Sequence, residues 1–285
     1  SHSTSPVKNY EVTNRWFGRT IIRSAKRFTY DEADETLKDS TLSLHSELAE
    51  LWKFAEKLKK NRVAKGAIMF GTDEVKPLVN EKGEVTGFKR TLYTESHQLI
   101  EELMLLANRE VATMVSRKLG RKNRLFVYRI HDVPNAEKLD ELAVFLRAIG
   151  YQLSLGAPKG AAKEINKLLE NVKGKPEEHL IQTITIRSMA KAVYTTKNIG
   201  HFGLAFDDYA HFTSPIRRYP DVMVHRTLGN LLSGKRITEN PEETEKKAVH
   251  ASEREVAAAE AERASVKLKQ VEYFAKKIGE ERSGV

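Results

Sequence analysis

Cysteine is absent from the 285 residues, which excludes disulfides, thiolate zinc sites, iron–sulfur clusters and a thiol nucleophile. No run of 18 apolar residues occurs, so nothing reads as a membrane-crossing helix, and the first ten residues lack the apolar core of a signal peptide. Residues 1–6 read as a cloning remnant or a disordered start, and a cytoplasmic location with no membrane partner is the expectation. Internal repeats, low-complexity tracts and Pro/Gly/Ser-rich linkers are also missing, which argues for one compact unit over residues 7–285. Charge is plentiful. The 48 Lys and Arg outnumber 39 Asp and Glu, and a net charge of +9 favours polyanionic partners or plain solubility. Where the arginines sit decides between the two.

Residues 11–23 have strand character, with Trp16, Phe17, Ile21 and Ile22 as candidate core residues. From 30 to about 65 the spacing of Leu44, Leu48, Leu51, Ala55 and Leu58 predicts a short helix and then a long one, ending before Gly66. Strand character returns at 67–70, and residues 75–93 predict a hairpin turning at 80–83. Thr94 stands where it can cap a helix that runs through Leu99, Leu106 and Val115 to Gly120. A strand is expected over 124–130, and Asn135 can cap a helix reaching Gly150. Beyond residue 158 the pattern is mainly helical, over 161–172, 176–193, a helix starting near Ser214, and 244–281. The expected class is α+β: a mixed sheet packed by several helices, with a mainly helical carboxy-terminal half.

The most informative stretch is 201–226. It holds His201, His211 and His225, several aromatics, the helix-starting pair Ser214-Pro215 and the adjacent Arg217 and Arg218. Guanidinium forks near a helix amino terminus converge on an anionic group, and aromatic faces supply base stacking, the usual mixture for single-stranded nucleic acid. The competing structural reading puts the aromatics in the core and pairs the arginines with Asp207, Asp208 or Asp221. The histidines are ten and fourteen residues apart, unlike short-spaced zinc ligands. Elsewhere Glu101-Glu102 reads as a solvated helix face, and the charged residues of 244–281 as a packed surface helix.

These residues resemble a known family. The run Gly200-His-Phe-Gly-Leu-Ala205, the stretch from Tyr209 to Asp221 containing Phe-Thr-Ser-Pro-Ile-Arg-Arg-Tyr-Pro-Asp, and His225-Arg226 are similar to the carboxy-terminal motif of the RNB domain, the catalytic unit of RNase II and RNase R. The likeness continues upstream through Asn14 to Arg23, Arg27 to Tyr30, Ile68 to Phe70, and Ile100 to Asn108. It implies a hydrolytic 3′-to-5′ exoribonuclease that uses magnesium ions, acts on single-stranded RNA rather than DNA, and releases nucleoside 5′-monophosphates. By the same resemblance Arg217 matches a catalytic arginine beside the scissile phosphate, with Arg218 next to it on the RNA. Phe70 matches the aromatic that stacks on the 3′-terminal base, while Tyr30 and Glu101 match residues that contact the terminal nucleotide and help select RNA. Glu262 aligns with a glutamate beside the RNA channel.

One departure qualifies this. The family holds its metal with a D-x5-D-x-D-D run of aspartates, and no such run exists here; Asp31, Asp34 and Asp39, or Asp207 and Asp208, have neither the spacing nor the neighbours. The expectation is therefore a partial RNB catalytic domain without cold-shock or S1 domains and without a native metal site, inactive alone. The alternative is a non-catalytic RNA-binding module.

Overall fold

The computed structural model describes residues 10, 12–70, 74–153 and 160–281; residues 1–6, expected to be a cloning remnant or a disordered start, lie outside them. Eight helices and two small sheets are built from these residues. Helix α1 (Tyr30–Lys38) opens on a capping box, in which the Thr29 hydroxyl accepts from the Glu32 amide and the Glu32 carboxylate accepts from the Thr29 amide. Helix α2 (His45–Ala64) follows and stops where Gly66 takes a positive φ of 98°. Strands β1 (Glu74–Val79) and β2 (Val85–Thr91) form the expected hairpin, turned by Asn80, whose side-chain oxygen accepts from the Lys82 and Glu84 amides.

Helix α3 (Glu95–Leu119) is the spine of the molecule. Its buried face repeats every three to four residues through Leu99, Glu102, Leu105, Asn108, Val111 and Val115, so two polar side chains share the apolar stripe. Strand β3 (Tyr128–Ile130) pairs antiparallel with β4 (Val193–Thr195). Helices α4 (Ala136–Ala148), α5 (Ala161–Val172) and α6 (Glu178–Ser188) close one core around Leu142, Leu146, Ile165 and Ile181, all at most 2% exposed. A second core joins Val111 and Val115 of α3 to Phe126, Tyr128, Ala210 and two residues of α7 (Tyr219–Leu232), Val224 and Leu228.

Helix α8 (Pro241–Ala275) is 35 residues long and is gripped at two places. Near its start Glu245 accepts from the Thr196 amide, Ser252 Oγ accepts from the Tyr194 amide at 2.8 Å, and Glu255 takes both forks of Arg129. Near its end Tyr273 and Phe274 pack on Phe88 of the hairpin, with ring centroids 5.2 and 6.4 Å away. No helix among the described residues is long and apolar enough to cross a membrane.

The α+β class holds, with less sheet than the sequence suggests. The expected strand over 11–23 is absent: no described residue of that range lies in a strand, and Trp16, Ile21 and Ile22 are 71, 103 and 86% exposed. A strand needs a neighbour to take its amides and carbonyls, and none of the described strands pairs with this segment. Phe17 alone of the four candidates packs on the second core. Residues 67–70 are likewise no strand, although Ala67 and Ile68 are buried; their polar backbone is satisfied by side chains and loops instead.

Candidate functional site

The backbone of 200–206 folds back on itself because Gly200 takes a φ of 84°, which places its Cα where an added Cβ would lie 3.0 Å from the Phe206 carbonyl oxygen. His201 and Phe206 then exchange backbone hydrogen bonds of 2.8 and 3.3 Å. His131 braces this loop: its Nδ1 accepts from the Gly203 amide at 2.9 Å, so Nε2 carries the proton and donates to the Ala190 carbonyl at 2.8 Å. From the loop the chain enters the second core through Tyr209 and Ala210. The Tyr209 hydroxyl accepts from Asn108 Nδ2 at 3.0 Å, and Asn108 Oδ1 accepts from the Phe212 amide at 2.9 Å. Asn108, one of the two polar side chains of the α3 stripe, ties the motif to the spine from both ends.

The histidines serve this packing. Tyr209 stands edge-on to His201 and His211, and burial pushes their imidazoles down to about 3 and about 2, so both are neutral at physiological pH. His211 Nδ1 lies 2.7 Å from the Tyr194 hydroxyl, whose own pKa burial raises to about 12. His225 stacks on Phe212 at 4.1 Å and donates through Nε2 to the Phe212 carbonyl. Among the described residues no group of three or more His, Asp or Glu side chains is arranged to hold a metal ion.

The two arginines part company. Residues 214–218 form a turn in which the Ser214 carbonyl accepts from the Arg217 and Arg218 amides, and α7 begins at Tyr219 with Pro220 in its first turn. Asp221 is fully buried; it takes two 2.8 Å hydrogen bonds from the Arg218 fork and a third, at 2.7 Å, from the Ser214 amide. Arg217 is exposed, has no carboxylate partner among the described residues, and is flanked by Ile216 and Tyr219, 96 and 49% exposed. The structural reading of the pair thus applies to Arg218, and the fork left to meet an external anion is that of Arg217.

A second cluster gathers at the start of α3. Tyr30 stacks on His97, and Glu101, one turn beyond, accepts from the Tyr93 hydroxyl. Its neighbour Glu102 corrects the expectation of a solvated acidic face: it is 2% exposed and forms an ion pair with Arg62 of α2, itself 4% exposed, because the α3 stripe turns this carboxylate inward. Arg62 also lies 3.8 Å from Glu101 and, through its carbonyl, accepts from the Ala67 amide. Ala67 begins the short segment that leads to Phe70. The segment leading to it is pinned by Asn166 of α5, which donates to the Ala67 carbonyl at 2.8 Å and accepts from the Met69 amide at 3.2 Å, and by the Gly203 carbonyl, which accepts from the Ile68 amide at 2.9 Å. Phe70 itself is partly buried against the first core. Glu262 stands apart, exposed on α8 between that helix's two points of attachment.

Tyr30 and Glu101 thus meet at the first two turns of α3 and Phe70 packs on the first core, while Arg217 and Arg218 belong to the motif that Asn108 ties to α3. Sequence reading missed Arg62, Asn108, Asn166 and His97. Their partners lie from 40 to 104 residues away for the first three, beyond any local pattern, but His97 sits beside Glu101 at the i,i+4 spacing that places two side chains on one helix face.

Residues 3–234 match the RNB domain, and the chain belongs to that family. It is similar to ribonuclease R 1 of Lactococcus lactis subsp. lactis, 35% identical over a 293-residue alignment covering 98% of this chain and 34% of the relative. It is also similar to ribonuclease R of Aquifex aeolicus, 36% identical over 93% of this chain and 38% of the relative. The chain spans little more than a third of the length of these relatives. Its fold is that of Mycoplasma genitalium RNase R, solved in complex with ribose methylated single-stranded RNA, with a TM-score of 0.79, 23% identity, and coverage of 89% of this chain and 41% of the other.

Proposed function

We propose that this chain forms the phosphate-side and base-side part of a 3′-to-5′ exoribonuclease site that takes single-stranded RNA and, in the intact protein, releases nucleoside 5′-monophosphates. The observation that carries the reading is the division of labour at the start of α7: Asp221 fixes Arg218, and Arg218 and the 214–218 turn present Arg217 with an unoccupied fork. A guanidinium held this way stabilises charge that develops on a non-bridging phosphoryl oxygen as water attacks. Arg218, at the N-cap of α7, adds positive potential without leaving its carboxylate. Phe70 supplies a face for the 3′-terminal base, Tyr30 and Glu101 bind the terminal nucleotide and favour ribose over deoxyribose, and Glu262 lies along the path of the RNA.

Magnesium is the family's metal, and the described residues do not fit it. They offer no cluster of carboxylates, since Asp221 is spent on Arg218, Glu102 on Arg62 and Asp208 on Arg121 and Ser116. The chain by itself binds RNA without cutting it.

The test incubates the chain with a labelled single-stranded oligoribonucleotide and magnesium. Binding without shortening is expected. Arg217→Ala should weaken binding and flatten the dependence of log affinity on log salt by about one unit. A ladder of products shortened from the 3′ end would refute the inactivity. A non-catalytic RNA-binding module predicts the same binding, and the encoded sequence before residue 7 separates the two: an aspartate cluster there means an enzyme.

A further inference from the structure

We infer that His97 is a positioning residue, the part that holds Tyr30 in register with Glu101 so that the two act on one nucleotide; this rests on the assignment of Tyr30 and Glu101 made above. The two residues come from different elements, the first residue of α1 and the second turn of α3, and nothing in the backbone of either helix fixes one ring against the other carboxylate. His97 supplies the link. Its imidazole lies parallel to the Tyr30 ring, with centroids 3.7 Å apart and planes 12° from parallel, and it stands one helical turn before Glu101 on the same face of α3. Tyr30 stays 46% exposed, so His97 backs one face of the phenol while the residue still meets solvent.

The imidazole is itself held by a relay of hydrogen bonds. Asp34, on the same helix as Tyr30, accepts from the Ser96 amide at 3.0 Å. Burial alone would raise the Asp34 pKa, but hydrogen bonding at the start of α3 prevails and holds it below the ordinary carboxylate value, so Asp34 is an acceptor only. The Thr94 hydroxyl lies 2.7 Å from His97 Nδ1 and 3.2 Å from the Ser96 hydroxyl, so the imidazole edge is tethered and its ring plane set. Thr94 stands at the N-cap position of α3 yet makes no cap bond of its own; Asp34 caps the helix in its place, and the Thr94 side chain is free for the histidine. The Ser96 hydroxyl completes the frame, donating to the Tyr30 carbonyl at 3.3 Å. One capping arrangement therefore docks α1 on α3, orients an imidazole and, through it, orients an aromatic ring. A side chain that only filled space would need neither the tethered ring edge nor the parallel stack.

The measurement is the preference of the chain for a short oligoribonucleotide over the oligodeoxyribonucleotide of the same sequence, read as a ratio of dissociation constants. His97→Ala should lower the ratio roughly 3- to 10-fold, the size of one aromatic stacking contact. His97→Phe keeps a ring behind Tyr30 and should restore most of the ratio. Thr94→Val, which breaks the relay without touching either ring, should give a smaller loss in the same direction. The double variant Tyr30→Ala with His97→Ala should be no worse than Tyr30→Ala alone, because His97 acts through Tyr30. Additive losses in the double variant, or an unchanged ratio in His97→Ala while Tyr30→Ala lowers it, would overturn the positioning role and leave the assignment of Tyr30 standing. No loss in Tyr30→Ala, or no preference for RNA in the unaltered chain, removes that assignment and the role of His97 with it. If His97→Ala fails to fold, His97→Phe and Thr94→Val decide the question by the same ratio.

Discussion

Residues 12–29 and 200–218 are both irregular, both rich in arginine and aromatic side chains, and they are ordered to opposite degrees. The second segment has its glycine turn, its amides and its rings matched by His131, Asn108, Asp221 and Tyr194. The first is anchored by the Arg15–Glu110 ion pair, by Phe17 on the second core and by the Thr29 cap, and it leaves Trp16, Ile21 and Ile22 in solvent. Irregular backbone is rigid where specific polar partners close on it, and an apolar side chain without an element to pack against contributes little.

The sharpest way to break the contrast is to remove the acid that closes the motif. Asp221→Ala should cost about 3–5 kcal/mol, because it strands a part-buried guanidinium and a buried amide at once; a denaturant midpoint close to that of the unaltered chain would show that Arg218 and Ser214 find other partners.

Acid should act on the same segment and spare the other, which contains no histidine. His201 and His211 have folded pKa values depressed to about 3 and about 2 from 6.5, so below pH 6.5 the unfolded chain binds protons that the folded chain refuses, and stability falls as pH falls. Between pH 7 and pH 5.5 the two histidines together should remove about 2 kcal/mol. Denaturant midpoints at the two pH values measure this, and His211→Phe should flatten the slope, an outcome that would fail if the ring is solvated.

The smallest effect is expected in 12–29. Ile21→Ser and Ile22→Ser should change stability by no more than about 0.5 kcal/mol. A loss of several times that would mean that these side chains are covered in solution, and the contrast between the segments would narrow.

What the sequence could and could not announce follows from range. The α5 limits at 161 and 172, the hairpin turn at Asn80 and the cap at Asn135 were legible because each is decided by residues within a few positions. The irregular backbone of 12–23 was not, since β-favouring residues say nothing about whether a partner strand is present. The motif at 200–226 announced its arginines, but which of them was free depended on Asp221, about one helical turn from both, three residues from one and four from the other. Glu102 was misread for a related reason: a pair of adjacent glutamates looks the same whether or not an arginine 40 residues upstream waits behind one of them.

Helix α8 has a mechanical meaning that its sequence of small and charged residues does not suggest. From Glu255, clasped by Arg129, to Lys269, which donates to the Gly83 carbonyl at the hairpin turn, the helix runs about 21 Å between supports. It behaves as a beam fixed at both ends. Whatever bends or lengthens that span moves the hairpin as a unit, because Lys269 holds its turn while Tyr273 and Phe274 hold its Phe88 face.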